Sequence, residues 1–140
     1  MTRSPVSIHA TGLCYIIINI MDNVQQLIEL ERGFWKAAGD PEGDKYYEDN
    51  FDDAGVLILP FDGGVLDKSS VMPMIPKSNP WQRYDFSNIK VLPIDDNSIE
   101  LYYEVQASHG DDLFHAYVGS IYVSRKDESW KMLMHQQTSL

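Results

Sequence analysis

Four histidines, one cysteine and twenty-one acidic residues are the side chains of this chain with the reactivity to move protons, attack carbon or hold a metal. His135, in the run Met132-Leu133-Met134-His135-Gln136-Gln137, is the leading candidate, because an imidazole titrates near pH 6.5 and can take or give a proton at neutral pH. The plainer reading is a structural histidine bonded to a neighbouring strand. Glu31 lies on an apolar helical stripe between Ile28 and Trp35, either as a carboxylate reaching out at the stripe's edge or as an acid lining a cavity. The cluster His109-x-Asp111-Asp112-x-x-His115 holds nitrogen and oxygen ligands, but a turn running into a strand points them apart, so no metal site is expected. Asp62 and Asp85 are lesser candidate acids with turn or strand-surface settings. Cys14 lacks a nucleophile's setting, no G-x-S-x-G elbow occurs, and Phe61-Asp62-Gly63-Gly64 has neither the spacing nor the lysine of a phosphate loop.

The bulk properties narrow the partners. A chain of 140 residues is one domain by size, with 44% hydrophobic and 23% charged residues, as in an ordinary globule. Its formal charge of -10, with 11 basic residues scattered among 21 acidic ones, argues against nucleic acid and against anionic membrane. The apolar run Leu13 to Ile20 is too short to span a bilayer and lacks a cleavage site, so no export is expected and the cytoplasm is the expected location. With a single cysteine no intrachain disulfide can form.

The elements that must carry these side chains can be read in order. Residues 1–20 are set apart as an N-terminal extension, read either as an extra edge strand or as an upstream segment ahead of a natural start at Met21; residues 21–140 form the domain. Asp22 and Gln25 match a capping box, and Val24, Leu27, Ile28, Phe34, Trp35 and Ala38 recur at helical steps, so a helix is expected from Asp22 to about Ala38, stopped by Gly39. A short helix capped by Asp44 should run to Asn50, Ala54 to Pro60 should be a buried strand with Val65-Leu66 as its partner, and Asp67 should cap a brief helix through Ser70. Strands then follow over 81–92 and 98–108, the second with Ile99, Leu101, Tyr103, Val105 and Ala107 on one face. The closing stretch Leu113 to Gln137 is a long hairpin around Lys126-Asp127-Glu128-Ser129. With a four-residue loop Arg125 faces Trp130, which sets Ser120 across from His135 and Tyr122 across from Leu133. Strict alternation then puts Gln136 on the face of Trp130, Met132 and Met134, and His135 on the other, unless a bulge reverses the assignment. Helices before hairpin-linked strands make an α+β domain.

Taken together, Glu31-x-x-Phe34-Trp35-x-Ala37, the Gly39-Asp40 break, Leu59-Pro60, Gly64-Val65-Leu66-Asp67, Tyr117-x-x-Ser120-x-Tyr122, Trp130 and the final His135-Gln136-Gln137-Thr138 resemble the SnoaL-like group of the nuclear transport factor 2-like superfamily. The resemblance implies a cone, in which N-terminal helices pack on a strongly curved antiparallel sheet and a pocket opens at the wide end, in a homodimer joined through the sheet's outer face. It implies a small, mostly apolar or aromatic guest held by Trp35, Tyr103 and Tyr117 as walls and Gln136 or His135 as polar anchors, with no cofactor. The same pocket, with His135 as base and a tyrosine hydroxyl on the oxyanion, could serve an isomerase, dehydratase or cyclase, and a third possibility is a dimeric interaction module. Fold alone does not choose among them.

Overall fold

A computed structural model of the chain describes the backbone of residues 10–61, 64–126 and 129–140, and the side chains from Asn23 onward within them. Helix α1 runs Ala10–Ala37 and α2 Gly43–Asn50; strands β1 (Phe51–Ile58) and β2 (Val65–Asp67) follow; then come α3 (Lys68–Val71), a 3-10 segment over Met72–Lys77, and strands β3 (Arg83–Asp95), β4 (Ser98–His109), β5 (Asp112–Ser124) and β6 (Trp130–Ser139). The backbone from Ala10 to Ile20 is therefore helical rather than an edge strand, and the Asp22/Gln25 pattern sits inside the helix instead of starting it. Residues 1–9, Asp62 and the tip of the last hairpin at 127–128 lie outside the described residues.

The helix ends where Gly39 takes φ 85, a conformation in which a side chain is strained. Its N–H donates to the Ile75 carbonyl at 2.9 Å, and a Cβ there would stand 2.5 Å from Pro80 N, so the end of α1 is tied to the segment that follows α3. Asp67 caps α3 as expected, Oδ1 accepting from Ser70 N at 2.9 Å. Asp44, by contrast, lies in the first turn of α2, whose cap is Glu42 with no side-chain bond.

One sheet of six strands has the order β2-β1-β6-β5-β4-β3. All neighbours are antiparallel except β1 and β6, which run parallel, so the sheet is mixed rather than wholly antiparallel. Antiparallel neighbours follow one another along the chain, whereas the β1–β6 pair joins the two ends of the strand series, a pairing that local patterning does not report. The expected inner row of β4, Ile99 to Ala107 at every second residue, is buried throughout. One bulge decides which side chains of β6 face inward. Ser120 does pair with His135 and Ile121 with Met134, but Tyr122 pairs with Met132 and Ser124 with Trp130, leaving Leu133 as the extra residue and lengthening the loop by one. Because the bulge inserts one residue into the alternation, Met132 and His135 fall on the same inner face.

Candidate functional site

Glu31 is the centre of the inner face. It sits on the apolar stripe of α1, fully buried at 0% exposure, where the helix crosses β4, β5 and β6. Three hydroxyls donate to its carboxylate: Tyr103 at 2.6 Å and Ser120 at 2.8 Å to Oε2, and Tyr122 at 2.6 Å to Oε1. Tyr103 in turn accepts from Trp35 Nε1 at 2.9 Å, so two residues of one helix turn are bound to one strand. His135 Nδ1 lies 2.8 Å from Ser120 Oγ and 3.3 Å from Glu31 Oε2.

The proton positions follow from the partners. Burial alone pushes the Glu31 carboxyl up, but the bonds from His135, Tyr103 and Tyr122 outweigh it and hold the group below its ordinary range, that is, ionised. Burial, and then the Glu31 charge, push the Tyr103 and Tyr122 hydroxyls well up, so both remain donors. An ionised carboxylate only accepts, so Ser120 spends its one proton on Glu31 and His135 must carry a proton on Nδ1. The other ring nitrogen, Nε2, is 2.9 Å from the Gln137 amide nitrogen and accepts from it. A relay therefore runs Gln137, His135, Ser120, Glu31, with every proton pointing toward the buried charge.

Beside His135 and Gln137 opens a cavity of about 300 Å³. Its walls are Phe34 and Trp35 from α1, Tyr47 from α2, Leu57 from β1, Ile75 from the 3-10 segment and Met132 from β6. Asp112, His109, Trp81 and Phe61 stand at its mouth. The volume is at the lower end of the range of small-molecule sites, and the pattern of apolar walls with a few convergent polar groups is the usual one for them.

Of the residues expected from sequence, Trp35 and His135 line this cavity and Tyr103 lies behind it in the Glu31 network. Gln136 and Tyr117 do not. Both are on the outer face, where Tyr117 is 55% exposed, because the bulge at Leu133 turns Gln136 outward and Tyr117 sits one residue out of step with the inner row Ala116, Val118, Ser120. The glutamine that lines the cavity is Gln137 instead. The hydroxyls of Ser120 and Tyr122 were missed as site groups, although the expected Ser120 to His135 register was the signal that could have found the first. His109 and His115 are not brought together: His109 Nδ1 donates to the Pro80 carbonyl at 2.7 Å, while His115 Nε2 is 2.6 Å from Glu104 on the outer face. Asp85 pairs with Arg83 at an exposed site.

No protein-family model matches the chain, and no curated protein matches it. Solved structures do. A ketosteroid isomerase-like protein from Parabacteroides distasonis superposes with a TM-score of 0.68 at 15% identity, over 81% of this chain and 85% of that one. An NTF2-like protein from Cytophaga hutchinsonii gives 0.66 at 12% identity over 83% and 97%, and another from Pseudomonas aeruginosa gives 0.66 at 13% over 86% and 98%. No helix among the described residues is long and apolar enough to cross a membrane. A helix laid along one face of a curved six-stranded sheet superposes on those structures over more than four fifths of this chain, and this chain has the NTF2-like fold.

Proposed function

We propose that this chain, as a SnoaL-like member of that fold, binds a small, mostly apolar molecule in the cavity beside His135. The observation that carries the reading is a hollow of about 300 Å³ with apolar walls, left open at the one place where a hydrogen-bonded histidine and glutamine meet it. A well-packed interior has few voids larger than a water molecule, so a hollow of this size is kept for a guest. Filling it tests the idea. Leu57→Trp adds bulk from β1 into the cavity, beside its register partner His135. In a thermal-shift screen of steroids, aromatic polyketides and small ketones, the unmodified protein is expected to show at least one compound that raises the melting temperature, and Leu57→Trp to abolish that rise. A compound that stabilises both equally binds elsewhere.

A second reading is favoured by the relay itself. A histidine whose Nδ1 proton is held by a serine beside a buried carboxylate has Nε2 as its accepting nitrogen, the one that could take a proton from a substrate. This supports proton abstraction next to a carbonyl, with Gln137 turning aside to free Nε2. Incubating the protein with the same ketones in D2O should then give deuterium exchange at the carbon beside the carbonyl, and His135→Ala should slow it about a hundredfold. Exchange no faster than in buffer would leave binding without turnover.

A further inference from the structure

The hydroxyl of Tyr47 says more about the guest than the cavity's size does. Gly43 and Tyr47 are the two buried residues of α2, four apart and so on one face of that helix. The face is pressed against the end of α1, where a Cβ on Gly43 would run into the Ala37 carbonyl. One turn on, it sends the Tyr47 ring inward, with centroids 4.8 Å from Phe34 and 5.9 Å from Phe51. Tyr47 is 7% exposed and lines the cavity. Its hydroxyl has no hydrogen-bond partner among the described residues, yet it is not closed off: Gln137 Oε1 is the polar side-chain atom there that lacks both a partner and open space. Open space therefore reaches the Tyr47 hydroxyl, and the open space beside this buried residue is the cavity. The other tyrosines with described side chains are accounted for. The Tyr46 hydroxyl donates to the Leu30 carbonyl at 2.9 Å, those of Tyr103 and Tyr122 donate to Glu31, Tyr102 and Tyr117 face outward, and Tyr84 stacks on Trp35 outside the lining. Trp35 and His135, also buried in the wall, are spent on Tyr103 and on Ser120 and Gln137. Burial, and then the Glu31 charge, push the Tyr47 phenol well above its ordinary range, so it keeps its proton and can offer it. A phenylalanine would fill the same wall with no buried hydroxyl to satisfy. An apolar guest that displaced water from the cavity would strand this donor, whereas a guest with an oxygen opposite it would not. A carboxylate oxygen also accepts, but no lysine or arginine lines the cavity to offset the cost of burying its charge.

We infer that Tyr47 sets the specificity of the site, its hydroxyl donating to an uncharged acceptor oxygen, such as a ketone's, carried on the guest's apolar body. The inference rests on the ligand-binding reading above and names the contact that reading leaves open. One pair of molecules separates the two, since 1-tetralone and tetralin share a bicyclic body and differ by the carbonyl oxygen. Each is titrated, by calorimetry or tryptophan fluorescence, into the unmodified protein and into Tyr47→Phe, which removes the hydroxyl and keeps the ring. The unmodified protein should bind tetralone at least as tightly as tetralin, although water holds the ketone better. Tyr47→Phe should weaken tetralone about tenfold and tetralin less than about twofold. Because the hydroxyl is spent on no other group among the described residues, the variant should melt no lower than the unmodified chain. Tetralone that binds Tyr47→Phe as tightly as the unmodified protein overturns the assignment while leaving the pocket a binding site. A melting temperature lowered by more than about 4 °C also overturns it, because the hydroxyl would then have its partner inside the protein. Failure of both molecules to bind overturns the binding reading for guests of this size and the assignment with it.

Discussion

Glu31→Ala is expected to cost about 3–5 kcal/mol of folding stability, the largest loss from any single change within the polar network. The substitution removes the one acceptor shared by Tyr103, Ser120, Tyr122 and His135, all of them buried. Each orphaned hydroxyl carries a desolvation cost of about 1–3 kcal/mol, and because the groups form one network these costs do not simply add. Glu31→Gln keeps the shape but puts an NH2 opposite a donor, so it should fall between the two. Equilibrium urea unfolding measures the difference, and a loss below about 1 kcal/mol for the alanine variant would refute the hub assignment. The pH dependence is a second readout. A carboxyl whose folded pKa lies below its ordinary value of 4.5 contributes stability that is fully present above that value and lost as pH falls through the folded pKa. The unmodified protein should therefore lose stability on acidification below about pH 4.5, and Glu31→Gln should flatten that acid limb.

Trp35→Ala is expected to cost a comparable amount, about 3–5 kcal/mol, but for a different reason. The indole is buried and packs in a ring cluster, with centroids 5.9 Å from Trp81, 6.2 Å from Phe86, 6.3 Å from Tyr84 and 6.4 Å from His135. Its removal joins the indole's volume to a cavity already present, so the neighbours have nothing to collapse onto. The melting temperature should fall by on the order of 10 °C for a chain of this length, read by calorimetry. Trp35→Phe keeps a ring and loses only the bond to Tyr103, and should cost no more than about 2 kcal/mol. Equal losses for both variants would place the stabilisation in that hydrogen bond and not in packing. The two predictions are linked, since Trp35 and Glu31 stand one helical turn apart and bind the same tyrosine from two sides.

How far the sequence reaches can be judged from these residues. The inner row of β4, the Asp67 cap and the register of Ser120 against His135 all follow from local rules: alternation with period two, a side chain that accepts from a backbone N–H three residues on, and counting back from a turn. Glu31 on an apolar stripe was visible as an anomaly for the same reason, because helical periodicity places it there whatever surrounds it. The inner face of β6 was not legible. A one-residue bulge at Leu133 depends on how β6 fits β5 on one side and β1 on the other, and it exchanges Gln136 for Gln137 at the cavity while bringing His135 inward. The parallel β1–β6 contact is likewise a product of distant segments meeting.

The sequence by itself determined the element types, the order of helices before strands, and which residues were polar enough to do chemistry, since each of these is set by neighbours a few positions away. Only the tertiary structure decided that Glu31 is a buried hub, that Tyr117 faces outward, and that His135 and Gln137 share a cavity. Those facts depend on where α1 lies across the sheet and on one irregular step in the last strand, and both are set by packing over the whole chain.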